Sequence, residues 1–200
     1  MSSVIGADHL RVEEALRAFA VAREGELTPF AGPMQMGCLV LTDGPSGVTA
    51  MYPPRFYQWD KASAFLSRQL GVPAFSFHIH DGDFWMFTLF ADGQVVTRFN
   101  AMPHYFDPEE DAASWRGDPQ VVARLVPGVS AENIENYLVQ WDFDYTALGK
   151  AYPDDEFKYG DCWQLCDFMK RLGLNYPVDH RGKVTGTIYR FHVVDRRGPP

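Results

Sequence analysis

The spacing of apolar residues along the chain predicts two helices in its first third. Residues 8–24 are predicted to form an amphipathic helix with Leu10, Leu16, Phe19 and Ala20 on its inward face. Residues 60–70 show the same periodicity and end before Gly71, a residue type that commonly terminates helices. Runs typical of strands occur at residues 37–42, 47–52, 74–80, 84–91, 94–100 and 185–194.

Two Asp-Gly pairs predict how three of these strands are joined. Asp81-Gly82 and Asp92-Gly93 each separate two consecutive strand-like runs. Asp-Gly favours a two-residue hairpin turn because both of its residues adopt positive φ. A two-residue first turn places His78 opposite Trp85, and the second turn extends the hairpin into a three-stranded meander.

This register predicts two chemically different sheet faces, because successive side chains of a strand point to opposite sides. One face is apolar and is expected to contact the core: Phe75, Phe77, Ile79, Phe84, Met86, Thr88, Phe90, Val95, Thr97 and Phe99. The other face mixes polar and aromatic groups: Ser76, His78, His80, Asp83, Trp85, Phe87, Leu89, Val96, Arg98 and Asn100.

Helix-start signals dominate the chain after Pro103. Asp107-Pro108 and Asp118-Pro119 each place Asp at an N-cap and Pro at the first helical position. Ser130 is expected to open a further helix, and residues 161–173 read as another that ends at Gly173.

The order of these elements predicts an α+β fold. We expect an antiparallel sheet of about five or six strands with a ββαβββ-like core, an N-terminal helix and a C-terminal helical lobe. Residues 1–200 are interpreted as a single domain, since no linker or repeat divides them. Its parts are a sheet-containing core at 1–103, a helical lobe at 104–176, and a C-terminal strand and tail at 177–200.

The charge distribution changes the range of expected partners. Acidic residues number 26 against 18 basic ones, for a net charge of −8. Residues 101–160 alone contain 12 acidic and 4 basic residues, which suits a basic partner. Nucleic acid is disfavoured as a partner by like charge, and no apolar run is long enough for a membrane span.

The chain has three cysteines, Cys38, Cys162 and Cys166. This count is low and odd, so a disulfide framework is not expected. They fit a reducing compartment, and the start of the chain has no secretory pattern, so we expect a cytoplasmic protein. Cys162 and Cys166 lie four residues apart, on one face of a helix, and are interpreted as core thiols. No cofactor is predicted.

One cluster of possible metal ligands occurs, at His78, His80 and Asp83. Two histidines two apart on a strand point the same way, as a metal site requires. The competing interpretation is that these histidines only border a half-exposed face, with the acids serving the turn.

The mixed face is the stronger candidate site, because its groups converge through strand pairing. An arginine among aromatic rings can stack and hold an anion, and an imidazole can donate, accept or transfer a proton. The candidate binding residues are Ser76, His78, Trp85, Phe87, Arg98 and Asn100.

Three functions follow from this face. The leading hypothesis is an acidic binding protein, inhibitor- or immunity-like, with a protein partner or a small-molecule ligand. Trp115 and Trp141 could add anchoring rings. The alternative is an enzyme for an anionic or aromatic small molecule, with His78 as acid/base and Arg98 as anion clamp. A metal-dependent enzyme is the third.

Overall fold

A computed structural model describes residues 1–141, 149–179 and 181–194. Its strands are β1 (Ser2–Ile5), β2 (Glu26–Pro29), β3 (Cys38–Gly44), β4 (Gly47–Met51), β5 (Ala74–His80), β6 (Phe84–Ala91), β7 (Gln94–Asn100) and β8 (Thr187–His192). Its α-helices are α1 (His9–Val21), α2 (Trp59–Leu70), α3 (Pro119–Leu125) and α4 (Gln164–Arg171). Within these described ranges, no helix combines the length and apolarity that crossing a membrane requires.

The strands form one antiparallel sheet in the order β2-β8-β3-β4-β1-β5-β6-β7. The α+β class is therefore confirmed, but the sheet has eight strands in place of the expected five or six. The two strands that were not predicted, β1 and β2, are four residues each, too short for alternation to mark them. β1 inserts between β4 and β5, whereas β8 joins the sheet as the final strand was expected to do.

Helix starts were predicted correctly where a side chain caps the helix by accepting hydrogen bonds from its first N–H groups. Asp118 caps α3, its carboxylate accepting from the backbone N–H groups of Gln120 and Val121. Asp8 caps α1 in the same way through Arg11. On α1, Leu16 is buried as predicted, but Leu10 is 70% exposed, contrary to its expected inward position.

Three other helix predictions after residue 103 were wrong or too long. No helix follows Asp107, whose carboxylate accepts from the N–H of Glu109 in a local turn. Short 3₁₀ turns occur instead at Pro103–Tyr105, Ala112–Trp115, Ala131–Asn133 and Glu135–Tyr137. The last helix begins three residues after Asp161, at Gln164. Asp and Ser side chains satisfy nearby backbone groups in turns as well as in helices, so the cap signal alone does not specify a continuing helix.

Two apolar cores lie on opposite faces of the sheet. α1 and α2 cover one face, where Leu16 and Leu66 pack against Val4 and Leu41. Segments from residues 101–141 and 149–176 cover the other face, and α4 contributes its apolar side to that core. The second core contains the aromatic rings Phe75, Phe77, Trp85, Phe87, Phe99 and Phe168.

The register of β5 against β6 differs by one residue from the prediction. His80 pairs with Phe84, so Asp81, Gly82 and Asp83 all lie in the loop. Asp81 and Gly82 do have positive φ, at 46° and 86°. Asp83, however, stays outside the ladder while its N–H donates to the His80 carbonyl. A shift of one residue moves every side chain of β6 to the other face.

A second irregularity restores the predicted orientation of β7. The Asp92-Gly93 turn has two residues, as predicted, but a β-bulge shifts the register between Leu89 and Phe90. Thr88 therefore pairs with Arg98 and also with Ser76. The two shifts cancel across the meander, so β7 keeps its expected face and β6 alone is reversed.

Candidate functional site

The prediction that Trp85 and Phe87 share a face with His78 is wrong. Both rings are buried on the opposite face, with exposed fractions of 0% and 1%. The Trp85 indole N–H donates to Oε1 of Gln164 at 3.2 Å, and its ring centroid lies 5.3 Å from that of Phe168. Trp85 and Phe87 therefore pack beneath α4 and are not accessible to a partner.

Arg98 and Asn100 lie on the predicted face, but their polar groups bind within the chain. Arg98 donates from Nε to the Ser114 carbonyl at 3.0 Å and from Nη2 to the Ser114 hydroxyl at 2.7 Å. Its guanidinium also lies 4.1 Å from the ring centroid of Trp115. Asn100 accepts from the N–H of Met102 at 2.9 Å. These contacts fasten the segment after β7 to the sheet.

Ser76 also occupies the predicted face and is buried. It pairs with Ser2 of β1 on one side and Thr88 of β6 on the other. Its position in the middle of the sheet separates it from solvent.

His78 is stacked on the first residue of α2. Its imidazole lies 4.8 Å from the Trp59 ring with an interplanar angle of 11°. Burial, followed by the positive charge of the N-terminus at Met1 and then of His80, lowers the pKa of His78 to about 4. The imidazole is therefore neutral at pH 7 and contributes a flat, weakly polar ring.

His80 extends this stack toward the segment after β7. Its ring centroid lies 4.6 Å from Phe106 and 5.3 Å from Tyr105. Phe84, the pairing partner of His80, lies below the same rings at 5.3 Å from His80. The 3₁₀ turn at Pro103–Tyr105 brings these aromatic residues back over the end of the β5–β6 hairpin.

Together these groups form a continuous surface of rings. The separations between neighbouring centroids include 6.0 Å for Tyr57–Trp59 and 5.9 Å for His78–His80. Tyr57 and Phe106, at its two ends, are 59% and 62% exposed. We call this the aromatic–imidazole surface, defined by Tyr57, Trp59, His78, His80, Tyr105 and Phe106.

Carboxylates border the aromatic–imidazole surface at its hairpin end. Asp83 accepts a hydrogen bond from the Tyr105 hydroxyl at 3.1 Å, which raises the pKa of that phenol. Asp81 lies 3.7 Å from Nε2 of His80. Asp107 and Glu109 follow the surface directly in sequence and are exposed. In the described ranges, none of these four carboxylates forms an ion pair with Lys or Arg.

The predicted metal ligands are not assembled. Across residues 1–141, 149–179 and 181–194, no group of three His, Cys, Asp or Glu side chains is arranged to hold a metal ion. His78 and His80 do point to the same side, as predicted, but Asp83 is bonded to Tyr105.

Sequence reasoning missed Tyr57, Trp59, Tyr105 and Phe106. A usable signal was present, because these aromatic residues occur in short Pro-containing segments outside any amphipathic run. Large apolar side chains that no core pattern requires are candidates for exposed contacts.

Comparison with family models, with curated proteins and with solved structures gives no match to this chain.

Proposed function

We propose that this protein is a non-catalytic binding protein whose aromatic–imidazole surface docks onto a basic surface of another protein. The observation that carries the proposal is the continuous set of half-exposed rings bordered by carboxylates without a Lys or Arg partner among the described residues. An inhibitor- or immunity-like role is the form of binding that this chemistry supports best.

Charge supports a basic protein as the partner. Asp81, Asp83, Asp107 and Glu109 place negative charge around aromatic faces, which attract cations through their quadrupoles. An arginine of the partner could stack on a ring while a carboxylate accepts its hydrogen bonds. The net charge of −8 favours encounter with a basic body and disfavours nucleic acid.

The positions of the imidazole and guanidinium groups support binding over the enzymatic alternative. His78 pairs with Met86, and Arg98 pairs with Thr88 on the far side of β6. Two strand spacings separate their backbones by about 10 Å. The donors of Arg98 at Nε and Nη2 already bind Ser114, so an anion clamp would require those bonds to break.

The energetic anchors of this surface are expected to be its large rings. Truncation of Trp59, Tyr105 or Phe106 to Ala should weaken partner binding by about 2 kcal/mol each, as is common for central aromatic residues of interfaces. Phe106 is the best single probe because it is 62% exposed and contributes little to the core.

Co-purification tests the proposal. The tagged chain is expressed in its native cells as wild type, as a Tyr105→Ser/Phe106→Ser double variant and as a Leu10→Ser control. Leu10 is 70% exposed on α1, so the control removes a comparable apolar group from another region. We expect a basic partner that the wild type and the control retain and the double variant loses.

Calorimetry on the purified pair then measures affinity at low and high salt. Weaker binding at high salt is expected, since exposed charges are screened. The proposal fails if the double variant, with an unchanged unfolding midpoint, binds every partner as tightly as the wild type.

A further inference from the structure

A second concave region lies on the other face of the sheet, away from the aromatic–imidazole surface. It is a groove of about 770 Å³ lined by the end of β3, by α4 and by parts of residues 174–179 and 181–185. Its volume suits a small molecule. Its lining includes Thr42, Glu156, Trp163, Cys166, Lys170 and Tyr176.

Two aromatic rings form a corner of this groove. Trp163 and Tyr176 meet edge to face, with centroids 5.5 Å apart and an interplanar angle of 75°. Trp163 is 44% exposed, so part of its indole is accessible from the groove. A neighbouring hollow of about 530 Å³ shares both rings, so the corner is open from two sides.

The charge of the lining disfavours an anionic ligand. Among the described lining residues, Asp43, Glu156 and Asp179 are acidic and Lys170 is basic. The Lys170 ammonium lies 3.6 Å from Oε2 of Glu156 and 3.4 Å from Oδ1 of Asp167. Lys170 is therefore paired, and Asp43 lies 3.1 Å from Nδ1 of His9. The described lining carries three carboxylates against one ammonium.

One lining residue of the groove, Thr42, has a buried hydroxyl that finds no hydrogen-bond partner among the described residues. Thr42 is 3% exposed, and its Oγ1 has no partner in the part of the chain that the structure describes. A buried polar atom without a partner is unfavourable, so a ligand group that bonds to it would recover free energy.

The reactive groups of the lining are held in their uncharged forms. Burial is the main cause that raises the pKa of Cys166 to about 12 and that of Tyr176 to about 12. A protonated thiol is a poor nucleophile. The groove is therefore suited to binding and does not present an activated nucleophile from these two residues.

We infer that this groove binds a small organic cation, an alkylated ammonium compound that also carries a hydroxyl or similar polar group. The ammonium would lie against Trp163 and Tyr176, where cation–π attraction and the acidic lining act together. The polar group would bond to the Thr42 hydroxyl. This inference does not depend on the proposed function, because the two sites lie on opposite faces of the sheet.

Three probes of nearly the same shape test the inference. Choline is cationic, 3,3-dimethyl-1-butanol is neutral, and 3,3-dimethylbutanoate is anionic. Each is titrated at constant ionic strength while the indole N–H resonance of Trp163 is followed by NMR, with Trp163→Leu used to assign it. We expect a saturable shift with choline and binding of the neutral probe weaker by about fivefold, with the anion weaker still.

Variants locate the site and separate its parts. Trp163→Leu should abolish the choline response measured by calorimetry, and Leu10→Ala should leave it unchanged. Thr42→Val should weaken choline while leaving tetramethylammonium, which has no hydroxyl, unaffected. Glu156→Gln, at an exposed side chain, tests the charge contribution without a risk to folding. Absence of choline binding, or equal binding of the neutral or anionic probe, overturns the inference.

Discussion

The two faces of the β5–β7 meander carry the same kinds of ring in opposite environments. On one face, Trp85 and Phe87 are closed off completely beneath α4. On the other, His78 and His80 carry a row of rings that ends in Phe106, which is 62% exposed. Aromatic composition alone therefore does not distinguish a core from a contact surface; what covers the rings does.

The closed face is stabilised by hydrogen bonds of buried carboxylates as well as by apolar packing. Asp167 on α4 is buried and accepts from the N–H groups of Glu156 and Phe157 at 2.9 and 2.8 Å. Asp155, also buried, accepts from the backbone N–H of Tyr152 at 2.9 Å. On the open face the carboxylates instead border the rings and remain exposed, which is the arrangement expected of a polar rim around an apolar contact.

The largest expected effect separates the two faces by stability. Trp85→Ala should lower the free energy of unfolding by about 3–5 kcal/mol, because it leaves a cavity in a closed core. Phe106→Ala should change it by less than about 0.5 kcal/mol, as is usual for surface positions. Urea denaturation of the two variants measures both values. Similar losses in both would mean that the aromatic–imidazole surface is a structural cluster.

A smaller loss is expected when the polar support of the closed face is weakened. Asp167→Asn removes the charge from a buried carboxylate that accepts two backbone hydrogen bonds, and it should lower the free energy of unfolding by about 2 kcal/mol. Glu156→Gln is the matched control, since that side chain is exposed and should have little effect. Equal urea midpoints for Asp167→Asn and the wild type would show that α4 does not depend on this carboxylate.

The stability of the protein should depend on pH because His78 on the open face is partly buried. Because burial lowers the pKa of His78 to about 4, the unfolded chain binds a proton more readily than the folded one between pH 6.5 and pH 4. The contribution of His78 to stability should therefore be complete above pH 6.5 and should be lost as the pH drops through this window. Part of the ring faces solvent, so we expect a loss of about 1 kcal/mol, less than the full shift implies.

His78→Phe keeps a ring against Trp59 and removes the titrating group. The difference in unfolding free energy between pH 7 and pH 4.5 should be smaller in this variant than in the wild type. An unchanged difference would assign the acid sensitivity to other groups.

The smallest change in stability is expected at Thr42, whose buried hydroxyl lies on the closed side of the sheet. Thr42→Val replaces a buried hydroxyl that has no partner among the described residues with a methyl group of similar shape. The free energy of unfolding should rise by about 0.5–1 kcal/mol, because a desolvated polar atom is removed. Thermal denaturation without ligand measures the change, and a decrease would indicate that the hydroxyl is hydrogen-bonded in solution.

Local chemistry in the sequence was sufficient for several features of the fold. Asp118-Pro119 marked the start of α3, and Asp92-Gly93 marked a two-residue turn, because both depend on backbone preferences within a few residues. The register of β6 was not predictable in this way. Its residues are apolar on both faces, from Phe84 to Phe90, so a shift of one residue exposes no polar pattern that would oppose it.

The candidate site was predicted only in part for a related reason. His78 and His80 share a face because alternation along one strand fixes it. Their stacking partners Trp59 and Phe106 come from α2 and from the segment after β7, so only tertiary structure brings them together. The acidic character of that segment was visible in the sequence, whereas its position beside the rings was not.

Photocrosslinking in cells shows whether the aromatic–imidazole surface contacts a partner. With p-benzoylphenylalanine incorporated at position 106, we expect a single prominent adduct with a basic protein. The same reagent at position 10, which is also exposed, should not form it. An adduct that forms equally at both positions, or none at position 106 while the protein is folded, would contradict the assignment of the aromatic–imidazole surface as the binding site.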